Sequence, residues 1–271
     1  MSDRFRVTIL GCGSSGGVPR VAQGWGRCDP NNPKNRRRRC SILVERIAAN
    51  GGVTRVLIDT SPDLREQLID AQVPDLDAVV FTHEHADHTH GIDDLRPLVI
   101  QHRRRMDVYA DAQTMHILKS KFGYCFETPP GSEYPPILTA HLIDNQSEFE
   151  ISGAGGTIAL QPFGLIHGKI EALGFRIGSF AYTPDVSAIP EAVVKHLEGL
   201  ERWVIDALRE TPHPTHFSLA EALAWIERMK PRHAVLTNLH TDLDYDALVA
   251  QLPPGIEPAF DGMVLEWKAE A

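Results

Sequence analysis

Residues 83–88 read His-Glu-His-Ala-Asp-His and follow directly on the apolar run DAVVFT at 77–82. Neutral imidazole nitrogens and a carboxylate are the ligands that zinc and similar divalent cations prefer. A strand ending at Phe81-Thr82 can aim the side chains of His83, His85, Asp87 and His88 at one point. His83 and His85 alternate, so they share a side of an extended segment. Asp87 and His88 are adjacent and diverge, so they can serve a second cation. Four ligand-type residues in six outweigh the reading of a solvated polar loop; His90, outside the spacing, is expected to be a supporting or surface residue. Further ligands must come from other strand ends. His167 follows an apolar run through Ile166, Asp185 follows Phe180-Ala181-Tyr182-Thr183, and His240 follows Ala234-Val235-Leu236-Thr237. Each alone reads as an ordinary loop residue; with the first cluster they complete the ligands of a two-metal centre.

The elements that must position these residues are short. Strands are expected over 6–10, 41–47, 55–59, 77–82 and 107–110, with a hairpin at Asn50-Gly51-Gly52. Ser61 as N-cap and Pro62 at the first helical position predict a helix through about Ala71. Residues 94–102 and 112–122 read as helices, and 123–137, with four prolines and two glycines, as a long irregular loop. The second half opens with strands over 138–143, 149–151, 157–162, 172–177 and 180–183. Helices over 190–197, 218–229 and 245–251 then alternate with strands over 203–206 and 234–237. Many short strands with interspersed helices predict two packed sheets covered by helices. Without a low-complexity linker or a repeat, a single domain over 1–271 is expected.

The 271 residues are 42% apolar and 23% charged, which excludes a disordered tail, a collagen and a disulfide-stapled miniprotein. Lys and Arg number 27 against 36 Asp and Glu, a net charge of −9, which argues against a protein that coats nucleic acid through its overall field. Cys12, Cys28, Cys40 and Cys125 include no C-x-x-C pair and fit a reducing compartment. No apolar run approaches the ~20 residues that span a bilayer, and the first ten residues show no signal-peptide pattern. A soluble, cytoplasmic protein is expected.

The motif His83-x-His85-x-Asp87-His88 resembles the hallmark of the metallo-β-lactamase superfamily. The resemblance implies an α/β (α+β) fold: a four-layer αββα sandwich of two mixed sheets flanked by helices, with the metals at one edge. It matches the remaining ligands to His167, to Asp185 as the bridging position, and to His240. The run Leu10-Gly11-Cys12-Gly13-Ser14-Ser15-Gly16-Gly17-Val18-Pro19 is similar to the Gly-rich motif of tRNA 3′-processing endonucleases and phosphoribosyl cyclic phosphodiesterases. Pro33 to Ser41 and Phe260-Asp261-Gly262-Met263 resemble the phosphodiesterase more closely. There are departures. Only Cys28 remains where those relatives hold a structural zinc with several cysteines. The last ligand of relatives directly follows a Leu-Thr pair, whereas Asn238 follows Leu236-Thr237 here; His240 is the substitute, ahead of His233. The RNA-binding arm of the tRNA enzymes is not evident.

Two divalent ions (Zn²⁺ or Mn²⁺) roughly 3.5–4 Å apart can lower the pKa of a shared water, hold it as hydroxide, and bind the oxygens of a phosphate. Asp87 would ligate and orient that hydroxide. His216 matches the general-acid histidine of the phosphodiesterases, with a loop histidine near a helix N-cap as its bland alternative; His213 is expected to be structural. The Gly-rich loop lets backbone N–H groups approach an anion, with Ser14, Ser15 and His216 as the expected substrate contacts. At least two of Arg36–Arg39 read as a solvated strand entry, while one can reach a phosphate. The resemblance makes Asp59 a support for the histidine loop. Tyr124, Phe126 and Tyr134 read as loop packing, with a substrate cover as the alternative. The expected activity is a binuclear, metal-dependent phosphodiesterase acting on a small cyclic or nucleotide-like phosphodiester, with no membrane partner and with a homodimer left open. The alternatives are an RNA 3′-processing nuclease, a thioester or lactam hydrolase, and a non-catalytic nucleotide-binding protein.

Overall fold

Runs of Val, Ile and Leu between Gly, Pro and Asn turns favour short strands. The computed structural model, which describes residues 2–269, contains two seven-stranded mixed sheets flanked by helices, as the metallo-β-lactamase sandwich does. In chain order the strands are β1 (Arg4–Gly11), β2 (Ser41–Ile47), β3 (Val53–Ile58), β4 (Ala78–Val80), β5 (Met106–Ala110), β6 (Leu138–Leu142), β7 (Phe149–Gly153), β8 (Gly156–His167), β9 (Ile170–Ile177), β10 (Phe180–Thr183), β11 (Arg202–Asp206), β12 (His233–Thr237), β13 (Ile256–Pro258) and β14 (Val264–Lys268). The α-helices are α1 (Leu64–Asp70), α2 (Ala86–Thr89), α3 (Arg96–His102), α4 (Ala112–Phe126), α5 (Leu219–Met229) and α6 (Tyr245–Gln251). The chain divides into two compact units, the first made of Met1–Leu10, Ser41–Ala159 and Val264–Ala271, the second of Gly11–Cys40 and Leu160–Met263.

In the first unit the sheet order is β14-β1-β2-β3-β4-β5-β6. Strands β3 to β6 are parallel, so their C-terminal ends share one edge. Leu57, Val79, Phe81 and Val108, all fully buried, form the core under α1 and α4. The other sheet runs β13-β12-β11-β10-β9-β8-β7, with the division between units falling inside β8. Its strands β10 to β13 are parallel. Strand β9 is antiparallel to both β8 and β10, so β8 runs the same way as β10 and also ends at that edge. Phe163, Trp203, Ile205 and Leu236 centre the second core, against α5. Helix α5 begins where the sequence places it because Ser218 and Glu221 form a capping box.

Several sequence expectations need correction. Helix α1 starts at Leu64, later than expected, with Asp63 at its N-cap; Ser61 Oγ still accepts from Asp63 N (3.1 Å) and donates to Gln67 Oε1 (2.9 Å). Helix α4 runs through a non-helical Phe122 to Phe126, taking four residues from the expected loop. Strand β8 continues past Pro162 to His167. The helix expected over 94–102 begins at Arg96, its first two residues belonging to a 3₁₀ turn over 92–95, and the helix expected over 190–197 is 3₁₀ over 191–197. Strands β13 and β14 were not anticipated. Arg37 is buried, donating to the His240 carbonyl (3.2 Å) and Asn35 Oδ1 (3.2 Å), and is a structural residue and not part of a solvated entry. All four cysteines are reduced and buried. Among the described residues no helix is long and apolar enough to cross a membrane.

Candidate metal centre

In the first unit, β3 and β4 deliver two short loops to the same sheet edge. Asp59 follows β3 in the left-handed region (φ 67°), which Asp enters more readily than most L-residues. Its Oδ1 accepts from Thr82 N (2.8 Å), and its Oδ2 accepts from Thr82 Oγ1 (2.8 Å) and pairs with His88 Nδ1 (2.8 Å). Because the Thr82 hydroxyl hydrogen is spent on Asp59, that oxygen accepts from His83 Nδ1 at 2.9 Å. Both rings therefore carry their proton on Nδ1 and keep the Nε2 lone pair, as metal ligation requires. Burial raises the Asp59 carboxyl above its usual range, against the pull of His88 and Thr82. The His83 ring centre lies 4.3 Å from that of His88 and 4.6 Å from that of His85. Asp87 Oδ2 is 3.6 Å from His88 Nε2. His83 and His88 are buried, Asp87 half-buried and His85 exposed. The four residues of the motif thus converge. His90 turns away, exposed, against Phe122.

In the second unit the ligand-type residues come from the ends of β8, β10 and β11 and from the turn before α5. His167 closes β8 and approaches the Thr215 carbonyl through Nδ1 at 2.6 Å, which again leaves Nε2 as an acceptor. Asp185 lies two residues past β10, with its Oδ2 3.7 Å from His167 Nε2. His216, in the turn before α5, pairs Nδ1 with Asp206 Oδ2 at 2.9 Å. One donor atom from each of His167, Asp185 and His216 lies within 4.8 Å of the others. Asp206, the last residue of β11, is fully buried and also accepts from Val186 N. Burial pushes its carboxyl up to about 7, with His216 pulling it down and Asp185 pushing it up. Asn238, with φ 63°, donates through Nδ2 to the Pro184 carbonyl (3.0 Å) and Asp185 Oδ1 (3.2 Å).

His240 is not in that group. Its backbone N–H bonds to the Leu208 carbonyl, its Nε2 meets the Arg20 guanidinium, and its Nδ1 lies 3.2 Å from Asp242. Of the expected substrate contacts, Ser14 is buried, its Oγ without a hydrogen-bond partner among the described residues, and Ser15 is exposed. Cys28 bonds to backbone carbonyls at 241 and 243 and belongs to no cluster of ligand-type side chains among the described residues. Of the loop aromatics, Phe126 is buried, while Tyr124 and Tyr134 are exposed. The sequence reading missed Asp206 and Asn238. Asp206 had a signal: it ends the apolar run Trp203-Val204-Ile205 as Asp59 ends Val56-Leu57-Ile58.

Imidazoles that hold their proton on Nδ1 and so offer Nε2 as an acceptor, together with carboxylates, are a donor set that fits divalent metal ions. A family model described as the beta-lactamase superfamily domain matches residues 54–238. The crystal structure of a diphosphatase from the PhnP family is 37% identical, with a TM-score of 0.85 and 98% of each chain covered. The octanoyltransferase of Porphyromonas gingivalis is 32% identical over 264 residues, 96% of this chain; the chain spans about half (51%) of that relative's length. The exodeoxyribonuclease WalJ of Streptococcus pneumoniae is 23% identical over 236 residues, 84% of this chain and 69% of that protein. The family match covers both the 83–88 motif and the strand-end residues through Asn238, and the chain accordingly belongs to the beta-lactamase superfamily and, with that diphosphatase, to the PhnP family.

Proposed function

We propose that the chain works as one hydrolase domain that cleaves a small cyclic or nucleotide-like phosphodiester at a two-metal centre. The motif residues His83, His85, Asp87 and His88, and the strand-end residues His167 and Asp185, would each hold metal. His240, expected from the sequence as the last ligand, is left out because its Nε2 is engaged by Arg20. The observation that carries the reading is the group of three donor atoms from His167, Asp185 and His216 within 4.8 Å. Zn²⁺ or Mn²⁺ bound there would activate a water and neutralise charge on the phosphate. The chain's own residues supply the rest. Thr82 and Asp59 fix the His83 and His88 tautomers. Asp87, half-buried at the edge, orients the attacking water as well as ligating. His216, held by Asp206 through Nδ1, would in its doubly protonated form give the Nε2 proton to the leaving alkoxide.

A second reading is favoured by the same group: His216 as a metal ligand, standing in for the residue replaced by Asn238. The names of two relatives, a diphosphatase and an exodeoxyribonuclease, support hydrolysis at phosphorus. The net charge of −9 favours a small substrate over RNA.

Protein loaded with Mn²⁺ or Zn²⁺ is expected to hydrolyse bis(p-nitrophenyl) phosphate or a cyclic phosphate, and His83→Ala to abolish this. Absence of turnover across a broad phosphodiester panel, with bound metal verified by elemental analysis, would defeat the proposal.

A further inference from the structure

Asp261 belongs to the closing segment Phe260-Asp261-Gly262-Met263, none of whose side chains joins a cluster of ligand-type groups among the described residues. The residue is half-buried, and its carboxylate faces donors. Oδ1 accepts from Cys12 N (3.2 Å) and from the Cys12 thiol (3.5 Å), and Oδ2 accepts from Arg38 N (2.8 Å). Three N–H or S–H groups around one carboxyl suit its ionised form, which only accepts. The two residues it joins lie on neighbouring segments, for Gly13 N donates to the Arg38 carbonyl (2.7 Å). These segments are pressed together at Gly13, where a Cβ would come within 2.9 Å of both Arg37 Cβ and the Arg37 carbonyl oxygen.

From there the bonds lead to ligand-type residues of the same unit. Leu239 N donates to the Cys12 carbonyl (2.8 Å) and Ser14 N to the Leu239 carbonyl (3.3 Å), so the turn at 12–14 is clasped between 38 and 239. Cys40 adds to the clasp, its thiol 3.5 Å from the Gly13 carbonyl and 3.6 Å from Thr237 Oγ1. Asn238, between Thr237 and Leu239, donates to Asp185 Oδ1 (3.2 Å) and lies 3.2 Å from His216 Nδ1.

We infer that Asp261 is a positioning residue: its carboxylate fixes the 12–14 turn, the turn fixes the backbone at 238–239, and that backbone aims Asn238 at Asp185 and His216. The inference rests on the reading of Asp185 as a metal-holding residue. The charge state of Asp261 makes the link testable. Burial pushes its carboxyl up to about 7, against the pull of the Arg38 N–H, the Arg38 guanidinium and Cys12. Three further groups surround it. Burial and then Asp261 keep the Cys12 thiol protonated, Arg37 acts on that thiol in the opposite sense, and Lys34 sits over the Phe260 ring at 4.5 Å. Hydrogen bonds to an ionised acceptor are the stronger ones, so the neutral acid holds the two segments less tightly.

The test compares wild type with Asp261→Asn, which has the shape of the neutral acid, from about pH 6 to about pH 8.5. The readouts are Zn²⁺ competition against a chromogenic chelator and the melting temperature of chelator-stripped protein. At the acid end the two proteins should bind Zn²⁺ equally, within about twofold. At the alkaline end wild type should bind about fivefold tighter, below the 10–100-fold of a group bonded directly to a ligand. Stability should move the other way. A carboxyl whose folded pKa lies above its unfolded value costs stability as pH rises between the two. Wild type should therefore lose melting temperature relative to Asp261→Asn up to about pH 7, and lose no more above about pH 8. An affinity ratio that does not change with pH, or one near unity throughout, overturns the inference. Gly13→Ala, which wedges the same segments apart without removing a titratable group, should weaken Zn²⁺ binding equally at every pH. If Asp261→Asn does not fold, the amide signals of Cys12, Arg38 and Leu239 in wild type are followed by NMR over the same range. A common midpoint upholds the link, and a Leu239 amide that ignores the change at Cys12 and Arg38 overturns it. Wild type that binds no Zn²⁺ at any pH breaks the metal reading, and the inference with it.

Discussion

The two units present their metal-type residues in opposite ways. The first takes four from one hexapeptide and backs two of its histidines with a single carboxylate, Asp59, through three short hydrogen bonds. The second collects His167, Asp185 and His216 from three connections and spreads their support over three groups: the Thr215 carbonyl, Asp206, and Asn238, which touches both Asp185 and His216. Support in the first unit is therefore concentrated, and one substitution should disturb several ligands together. Support in the second is distributed, and losing one group should leave the others in place. Both units use the C-terminal edge of parallel strands, where backbone N–H groups and loops converge without blocking the site.

The largest effect is expected at Asp59. Asp59→Asn keeps the shape and the tolerance for positive φ but places an amide N–H₂ where His88 Nδ1 and Thr82 Oγ1 now find an acceptor. His88 would then accept at Nδ1 and carry its proton on Nε2, the atom a metal needs. Metal affinity should fall about 10–100-fold, read as Zn²⁺ competition against a chromogenic chelator. An unchanged affinity would show that the concentrated support is dispensable.

Asp206→Asn sharpens the contrast. If His216 is the proton donor, the variant should retain its metal and lose about 10²-fold or more in kcat for esters with poor, alkyl leaving groups. Esters of p-nitrophenol, whose leaving group needs no proton, should lose much less. Metal loss comparable to that of Asp59→Asn would instead assign His216 as a ligand. Leaving-group dependence and metal content, measured on the same preparation, separate the two.

How far the sequence could be read follows the same division. The 83–88 motif is legible because a contiguous segment fixes its own geometry, and Asp59 because it ends an apolar strand beside it. In the second unit, residue types at strand ends are legible but side-chain directions are not. Asn238 turns the chain with a left-handed φ, and the next residues bond to Cys12 and Leu208, which carries the His240 ring to Arg20. Nothing within the segment 234–240 encodes that path, since the partners lie some thirty or more than two hundred residues away. The same holds for Arg37, whose burial depends on contacts to residues 35 and 240. Strand β14 alternates exposed and buried positions cleanly, so its signal is present in the sequence; β13, at three residues, is too short to show a period.

The smallest effect is expected at Asn238, and it tests whether support in the second unit is shared. Asn238→Ala removes the donor to the Pro184 carbonyl and Asp185 Oδ1 and puts a Cβ residue without a local hydrogen bond at φ 63°. The lost bonds to buried acceptors and the backbone penalty should cost about 1–3 kcal/mol together. At about 2–4 °C per kcal/mol for a domain of this size, that is a drop of several degrees in Tm. Asn238→Gly loses the same two bonds but adopts the turn freely, so the difference between the two melting temperatures isolates the backbone contribution. Activity should fall by no more than about tenfold in either, because His167 and Asp206 still hold their own partners. A collapse of metal binding in the glycine variant would mean that Asn238 holds the second half of the site as Asp59 holds the first, and that the two units do not differ in the way argued.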